Sequence, residues 1–511
     1  MEQREALSPT LLGHEIPSPG DVPGYFRDLL LSQLERDIFA AHPGMGLEAL
    51  FRTPLPAKGG VVHRQQVARE LEKEGLGRAF RGYFRAMEAV RAWLGLGEKA
   101  RHPWQARLHF LQAAGVYLEA VTALDKELRR HFPRSLGLGS YRAYLEAYRQ
   151  GPAFRRFQED LEATRSVLLA LRYTLQIREG RLLLRAYRGE ADYGERVQET
   201  FRPFFGEGTP TWEPSSPPPG PWLNHVEEWI LDHLALLFPG AFGRLEAFSR
   251  QHQGFVDPVL ARLEWEARFF LAYLDFIAPL WEAGLPFTYP EVAETPPFFL
   301  EEGADLALAA KAVAQGTLPV PNGFRFDGTR VLVVTGPNQG GKTTFARMVG
   351  QAHHLAALGL PVPGKRARLP LPDRILTHFE VRENPEELKS KLEEDLLRLK
   401  NAMDQATERS LLLLNEPFAS APLEDARLLG HFILKRILAR GSLAVVVTFL
   451  DELARLPGTR SLVAEVDPLD PARRTFRIRE RPPDGKAYAL ALAEKHGLTY
   501  ALLKARLGGG G

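Results

Sequence analysis

The stretch VLVVTGPNQGGKTTFARMVG, residues 331–350, restricts this chain more than any other. An apolar, β-branched run ends at Gly336, four residues follow, and Gly341-Lys342-Thr343 opens a segment with helical spacing. Small residues at such a strand-to-helix turn let backbone N–H groups wrap phosphates, and the helix N-terminus adds positive potential. In that geometry Lys342 reaches the outer phosphates and Thr343 offers its hydroxyl to Mg2+. The stretch therefore predicts nucleotide binding by Gly336, Pro337, Asn338, Gln339, Gly340, Gly341, Lys342, Thr343 and Thr344. A chance glycine-rich turn would lack the full spacing together with the Lys-Thr pair.

The rest of the chain gives this unit its setting. With 511 residues, 45% hydrophobic and 25% charged, the composition is that of a globular protein with more than one core. No apolar run reaches the roughly 18 residues that a bilayer requires, and the start MEQREALSPT has no signal-peptide core, which predicts a cytoplasmic protein. Zero cysteines exclude disulfides, thiolate metal sites and thiol nucleophiles. A net charge of +2 excludes a dedicated polyanion coat, so any nucleic-acid contact must come from local clusters.

Apolar residues at spacings of three and four predict successive helices from Pro23 to Arg172. The period changes in YTLQIREGRLLLRAYRG, residues 173–189, where alternation on both sides of Glu179-Gly180 predicts a hairpin. TPTWEPSSPPPGPW, residues 209–222, cannot sustain regular structure and reads as a linker or surface loop. Long helical patterns follow at 222–252 and 256–284, and after residue 302 short apolar strands such as RVLVVTG, SLLLLNE and LAVVVTF alternate with helices. The fold class expected is multidomain, an α-helical region followed by an α/β P-loop domain. The domains expected are an N-terminal extension 1–20, a helical core and lever 21–300, an ATPase domain 301–507 with C-terminal dimerisation helices, and a glycine tail 508–511.

TGPNQGGKTT resembles the phosphate loop of the MutS family, the DNA mismatch-repair ATPases. The similarity extends through VPGKRARLPLPDRILTHFE with its Asp373-Arg374-Ile375, through SKLEEDLLRLKNAMDQATERSLLLLNE and TFLDELARL, to KAYALALAEKHGLTYALLKAR. A fainter likeness covers the start of the family's helical core, including Arg64-Gln65. The resemblance implies an ATPase that pairs as a homodimer through this domain, here a short paralogue without the family's mismatch-reading and connector domains. Phe157-Gln158-Glu159 fits the family's Phe-x-Glu wedge, but its helical context reads as an ordinary helix surface.

Three departures from the family pattern bear on chemistry. Where the family has Asp before its catalytic Glu, this chain has Asn415-Glu416; an amide keeps a hydrogen bond to Thr343 but brings no charge to Mg2+, which Asn415 would hold indirectly. Glu416 remains the residue to orient or activate the attacking water, so slow hydrolysis is expected. Phe449 stands where the family has a His that approaches the γ-phosphate, and a phenyl ring donates no hydrogen bond. Asp451-Glu452 read as a helix start beyond the strand, not as a metal pair. The family's trans contact falls near Ser390, where Asn384-Pro385 predicts an earlier helix start and Lys389 or Lys391 are alternative contacts.

Basic clusters at KELRRHFPR, GKRAR and ARRTFRIRERPP read mainly as solvated faces balanced by nearby acids. The hairpin is the preferred DNA element, with Arg178, Arg181, Arg185 and Arg188 as phosphate contacts. Two functions remain open on the sequence. One is an ATP-driven homodimeric clamp or switch on DNA of non-standard structure; the other is a nucleotide-gated protein-interaction module with little hydrolysis and no DNA.

Overall fold

The computed structural model describes residues 9–13, 21–179, 181–190, 223–379, 388–419, 421–467, 469 and 473–483. The linker 209–222, Asn384-Pro385 and the expected C-terminal helices lie outside the described residues. The chain divides into two compact units that are not collinear with it: Met1–Pro9, Lys73–Arg134 and Leu138–Glu264 form one, while Thr10–Glu72, Ser135–Gly137 and Trp265–Gly511 form the other. Residues 21–72, read above with the helical region, fall in the unit that contains the phosphate loop.

The first unit is helical, built on Glu74–Lys99 and Pro103–His131, which pack along each other. Pro103 opens its helix where a missing N–H costs nothing. Aromatic rings fill the core around Tyr117, with Phe255 at 5.3 Å and Phe157 at 6.3 Å between centroids. Phe157 does lie on a helix, Pro152–Leu169, but it is 5% exposed and stacks on Phe255, so it is core and not helix surface. Strands β1 (Tyr173–Arg178) and β2 (Arg181–Ala186) pair antiparallel with Arg178 opposite Arg181. Glu179 takes the left-handed backbone, φ 49°, that a tight hairpin turn demands.

The second unit is an α/β structure. Strands β3 (Phe287–Thr288), β4 (Glu291–Val292), β5 (Phe298–Gly303) and β6 (Asn322–Phe326) precede β7 (Val331–Thr335). After β8 (Val362–Pro363) and β9 (Arg366–Leu369) come β10 (Ile375–Phe379), β11 (Leu411–Asn415), β12 (Leu443–Val447), β13 (Thr459–Val466) and β14 (Arg474–Glu480). The main sheet has the order β10-β11-β12-β7-β13-β14, parallel except for β14. Its inner strands are buried on both sides, which is why they read as unbroken apolar runs. On one face Val333, Leu412, Leu414 and Val446 pack with Leu399, Met403, Leu434 and Ile437 of helices Leu388–Gln405 and Leu423–Arg440. The helix Lys342–Ala357 covers the other face so closely that a Cβ on Gly350 would stand 2.6 Å from both Leu29 and Leu413. The smaller sheet β4-β9-β5-β6 completes the unit.

Two adjacent imidazoles near the end of that helix are fully buried, His353 and His354. Burial lowers their pKa values to about 4 and about 3, from the ordinary value of 6.5. Both are neutral in the folded chain, whereas the unfolded chain protonates them below about pH 6.5. Their contribution is therefore present above that pH and is lost progressively as pH falls toward the folded values. From pH 6.5 to pH 5 the loss should be about 2 kcal/mol for each histidine. Urea unfolding of wild type and His354→Leu at the two pH values measures this, and the stability lost between them should be smaller in the variant by about 2 kcal/mol.

Candidate nucleotide site

At the C-terminal end of β7 the chain turns through residues 336–341 into the helix that begins at Lys342. Gly336 and Gly341 have φ of 113° and 92°, a region open to glycine at no steric cost, and Gln339 joins them at 61°. A Cβ on Gly336 would also lie 2.9 Å from the Ala464 carbonyl of β13. Strand β7 is where the sheet order reverses: the chain leaves it for the far edge strand β10, returns through β11 and β12, and then adds β13 on the other side. Ligands of open α/β sheets bind in the crevice at such a switch point, outside the carboxyl ends of the strands.

Lys342 is folded into the loop that carries it. Its Nζ donates to the Gly336 carbonyl at 2.9 Å and lies 3.4 Å from both the Pro337 carbonyl and Asn338 Oδ1. It also stands 3.6 Å from Glu416 Oε1, with its side chain only 4% exposed. Burial holds the Lys342 ammonium below the ordinary lysine value, while the Glu416 carboxylate works in the opposite direction. Thr343 Oγ1 donates to Asn415 Oδ1 at 2.9 Å. Glu416 has a left-handed backbone, φ 52°, and its N–H donates to the Val447 carbonyl at 2.8 Å, which fixes the carboxylate at the end of β11. The Asn338 carbonyl accepts from Arg474 Nε at 3.2 Å.

These groups share a cleft of about 1080 Å3. Its lining joins residues 338–344, Asn415 and Glu416 to walls that sequence reading misses, including Leu308, Lys311, Gln315, Arg347 and Phe476. Arg347 Nε donates to the fully buried carboxylate of Asp305 at 2.7 Å, and its Nη2 is 3.5 Å from Thr344 Oγ1. Asp305 also caps the helix Leu306–Ala314 by accepting from Ala307 and Leu308 N–H. An Asp ahead of an apolar helical run is a legible cap. Its partner 42 residues on is not.

The other sequence-predicted residues fall as follows. Phe449 follows β12 and is 46% exposed. Asp451 and Glu452 begin a 3-10 turn, Asp451–Arg455, and Glu452 accepts from Arg427 Nε at 2.7 Å. Ser390, Lys389 and Lys391 belong to the helix Leu388–Gln405, but their side chains lie outside the described residues. In the hairpin, strand alternation puts Arg178, Arg181 and Arg185 on one face with Thr174, Gln176 and Leu183, and Leu184 of the opposite face packs among Ile230 and Leu234. Among the described residues these three arginines have no ion-pair partner, whereas the GKRAR cations are paired, Lys365 with Glu302, Arg366 with Glu301 and Arg368 with Glu291. Arg188 lies beyond β2, and its N–H donates to Glu190.

Fold and site together define the class: an α/β domain with a glycine-rich turn where a parallel strand ends and a helix begins, the place where open α/β sheets bind their ligands. Residues 332–472 match the family model described as MutS domain V. The chain is 32% identical over 189 residues to the Endonuclease MutS2 of Thermus thermophilus, a match covering 36% of this chain and 25% of that protein. It is 29% identical over 216 residues to the DNA mismatch repair protein MutS of Brevibacillus brevis, covering 41% and 25%. To the DNA mismatch repair protein MutS of Pseudothermotoga lettingae it is 28% identical over 248 residues, covering 46% and 30%. Residues 332–472 thus match a domain of the MutS family, and the matches span 25% to 30% of the length of these three relatives.

Proposed function

We propose that the α/β domain binds ATP with Mg2+ and hydrolyses it slowly, and that the chain acts as a homodimeric clamp or switch on DNA of non-standard structure. The observation that carries this reading is the contact of the Thr343 hydroxyl with the Asn415 amide at 2.9 Å, beside Lys342 and Glu416 in one cleft. Backbone N–H groups of residues 336–344 would take the phosphates. Lys342 would exchange the loop carbonyls for phosphate oxygens. Hydroxyl, amide and carboxylate oxygens suit a hard cation, with Thr343 nearest it and Asn415 acting through water. Bound there, Mg2+ would offset charge on the phosphates. Glu416 would hold and orient the attacking water and accept its proton. Ser390 of the partner subunit would complete the site, and the nucleotide state of the dimer would set the position of the helical part. No described helix is long and apolar enough to cross a membrane, and the work is proposed to be cytoplasmic.

DNA would meet the basic face of the hairpin. Fluorescence anisotropy with branched and linear DNA across a salt series tests this. The triple variant Arg178→Ala, Arg181→Ala, Arg185→Ala should bind more weakly, with a log-log salt slope shallower by about 2 to 3. An unchanged slope would remove the hairpin from the interface, and absence of binding by wild type would remove DNA from the function. A second reading, a nucleotide-gated protein-interaction module without DNA, is favoured by Phe449 standing 46% exposed after β12. Turnover that stays at the level of a Glu416 variant, with no DNA binding, would select it.

A further inference from the structure

The segment Tyr25–Asp28, a single helical turn, is far from the phosphate loop in sequence yet forms part of its cleft. Three contacts hold it to the α/β sheet and the phosphate-loop helix. Thr377 Oγ1 of β10 donates to Asp28 Oδ2 at 2.6 Å, across a separation of 349 residues. The Gln351 amide donates to the Leu29 carbonyl at 2.9 Å, and Tyr25 Oη lies 3.2 Å from His354 Nδ1. Asp28 lines the same cleft as Thr343, Asn415 and Glu416, and among the described lining residues Asp28 and Glu416 are the two carboxylates. Glu416 is shared with Lys342 at 3.6 Å, and the Asn415 amide is neutral. Thr377 pairs in parallel register with Leu413, two residues before Asn415, so its side chain shares a sheet face with Asn415. A two-residue step along a strand is about 6.6 Å and the neighbouring strand lies about 4.8 Å to the side, a diagonal of about 8 Å. The Asp28 anchor is thus one strand over and one pleat back from the amide.

We propose that Asp28 is a positioning residue for the nucleotide-bound divalent cation, supplying through space or through one water the negative charge that Asn415 lacks. This rests on the reading that ATP and Mg2+ bind at the phosphate loop. Charges about 8 Å apart in a partly buried cleft still interact by more than thermal energy at an effective dielectric constant of about 20. About a tenfold change in cation requirement is therefore expected when the charge is removed.

The test is binding of a fluorescent ATP analogue to the full chain, titrated with Mg2+ and repeated in EDTA. Asp28→Asn should raise the Mg2+ concentration for half-maximal binding about tenfold and leave affinity in EDTA unchanged. Asp28→Glu, which keeps the charge, should stay within about twofold of wild type. If Asp28→Asn folds poorly, Thr377→Val, which frees the carboxylate from its anchor, should raise the Mg2+ requirement at least about threefold with EDTA binding intact. A wild-type Mg2+ requirement in the folded variants, or an equal loss with and without Mg2+, overturns the inference and leaves the nucleotide reading standing. Failure of wild type to bind the analogue under either condition overturns both.

Discussion

Glu416→Gln is expected to lower ATP turnover by at least about 100-fold while ATP binds as tightly as in wild type or more tightly. A positioned carboxylate that orients water and takes its proton contributes roughly 100-fold to 10,000-fold in rate. Glutamine keeps the shape and the backbone contact with Val447, which the left-handed residue makes at 2.8 Å, but cannot accept a proton. The same substitution removes the carboxylate that stands 3.6 Å from Lys342 and competes with phosphate for it. Rate and affinity should therefore move in opposite directions. Single-turnover hydrolysis and equilibrium binding on one preparation measure both, and turnover at the wild-type rate would strip Glu416 of its role.

Lys342→Ala should weaken ATP binding by on the order of 100-fold, because charge-assisted contacts to phosphate are among the strongest single hydrogen bonds and this cation has no substitute inside the loop. Its ammonium is almost wholly buried and held by carbonyls of its own loop. Removing a desolvated cation costs the empty fold little, so the thermal midpoint without nucleotide should stay near that of wild type. Calorimetric titration with ATP and Mg2+ reads the affinity, and the midpoint shows whether the fold has survived. Wild-type affinity in the variant would mean that ATP binds elsewhere.

How much of this was legible in sequence depends on how local each feature is. The phosphate loop is written in nine consecutive residues, 336–344, and glycine, lysine and threonine each carry a local signal. Strands β7, β11 and β12 announce themselves as apolar runs because helices bury both of their faces. Alternation on both sides of Glu179-Gly180 marks the hairpin, and its register then puts Arg178, Arg181 and Arg185, but not Arg188, on one face. The contacts that close the cleft are tertiary and leave no periodic trace: Asp305 with Arg347, Gln351 with Leu29, and Asp28 with Thr377. Phe157 reads as helix surface because its partners Phe248 and Phe255 lie about 90 residues away. The withdrawal of Lys342 into its own loop was equally hidden, since spacing gives the reach of a side chain and not its resting place.

The central claim is that one engine, the phosphate loop with Glu416, turns over ATP. The measurement that tests it most directly is steady-state ATP hydrolysis by the purified full chain beside Lys342→Ala and Glu416→Ala, with Mg2+ and with and without DNA. Wild type should turn over ATP slowly, and both substitutions should abolish that turnover. Wild-type hydrolysis indistinguishable from that of the two variants would contradict it.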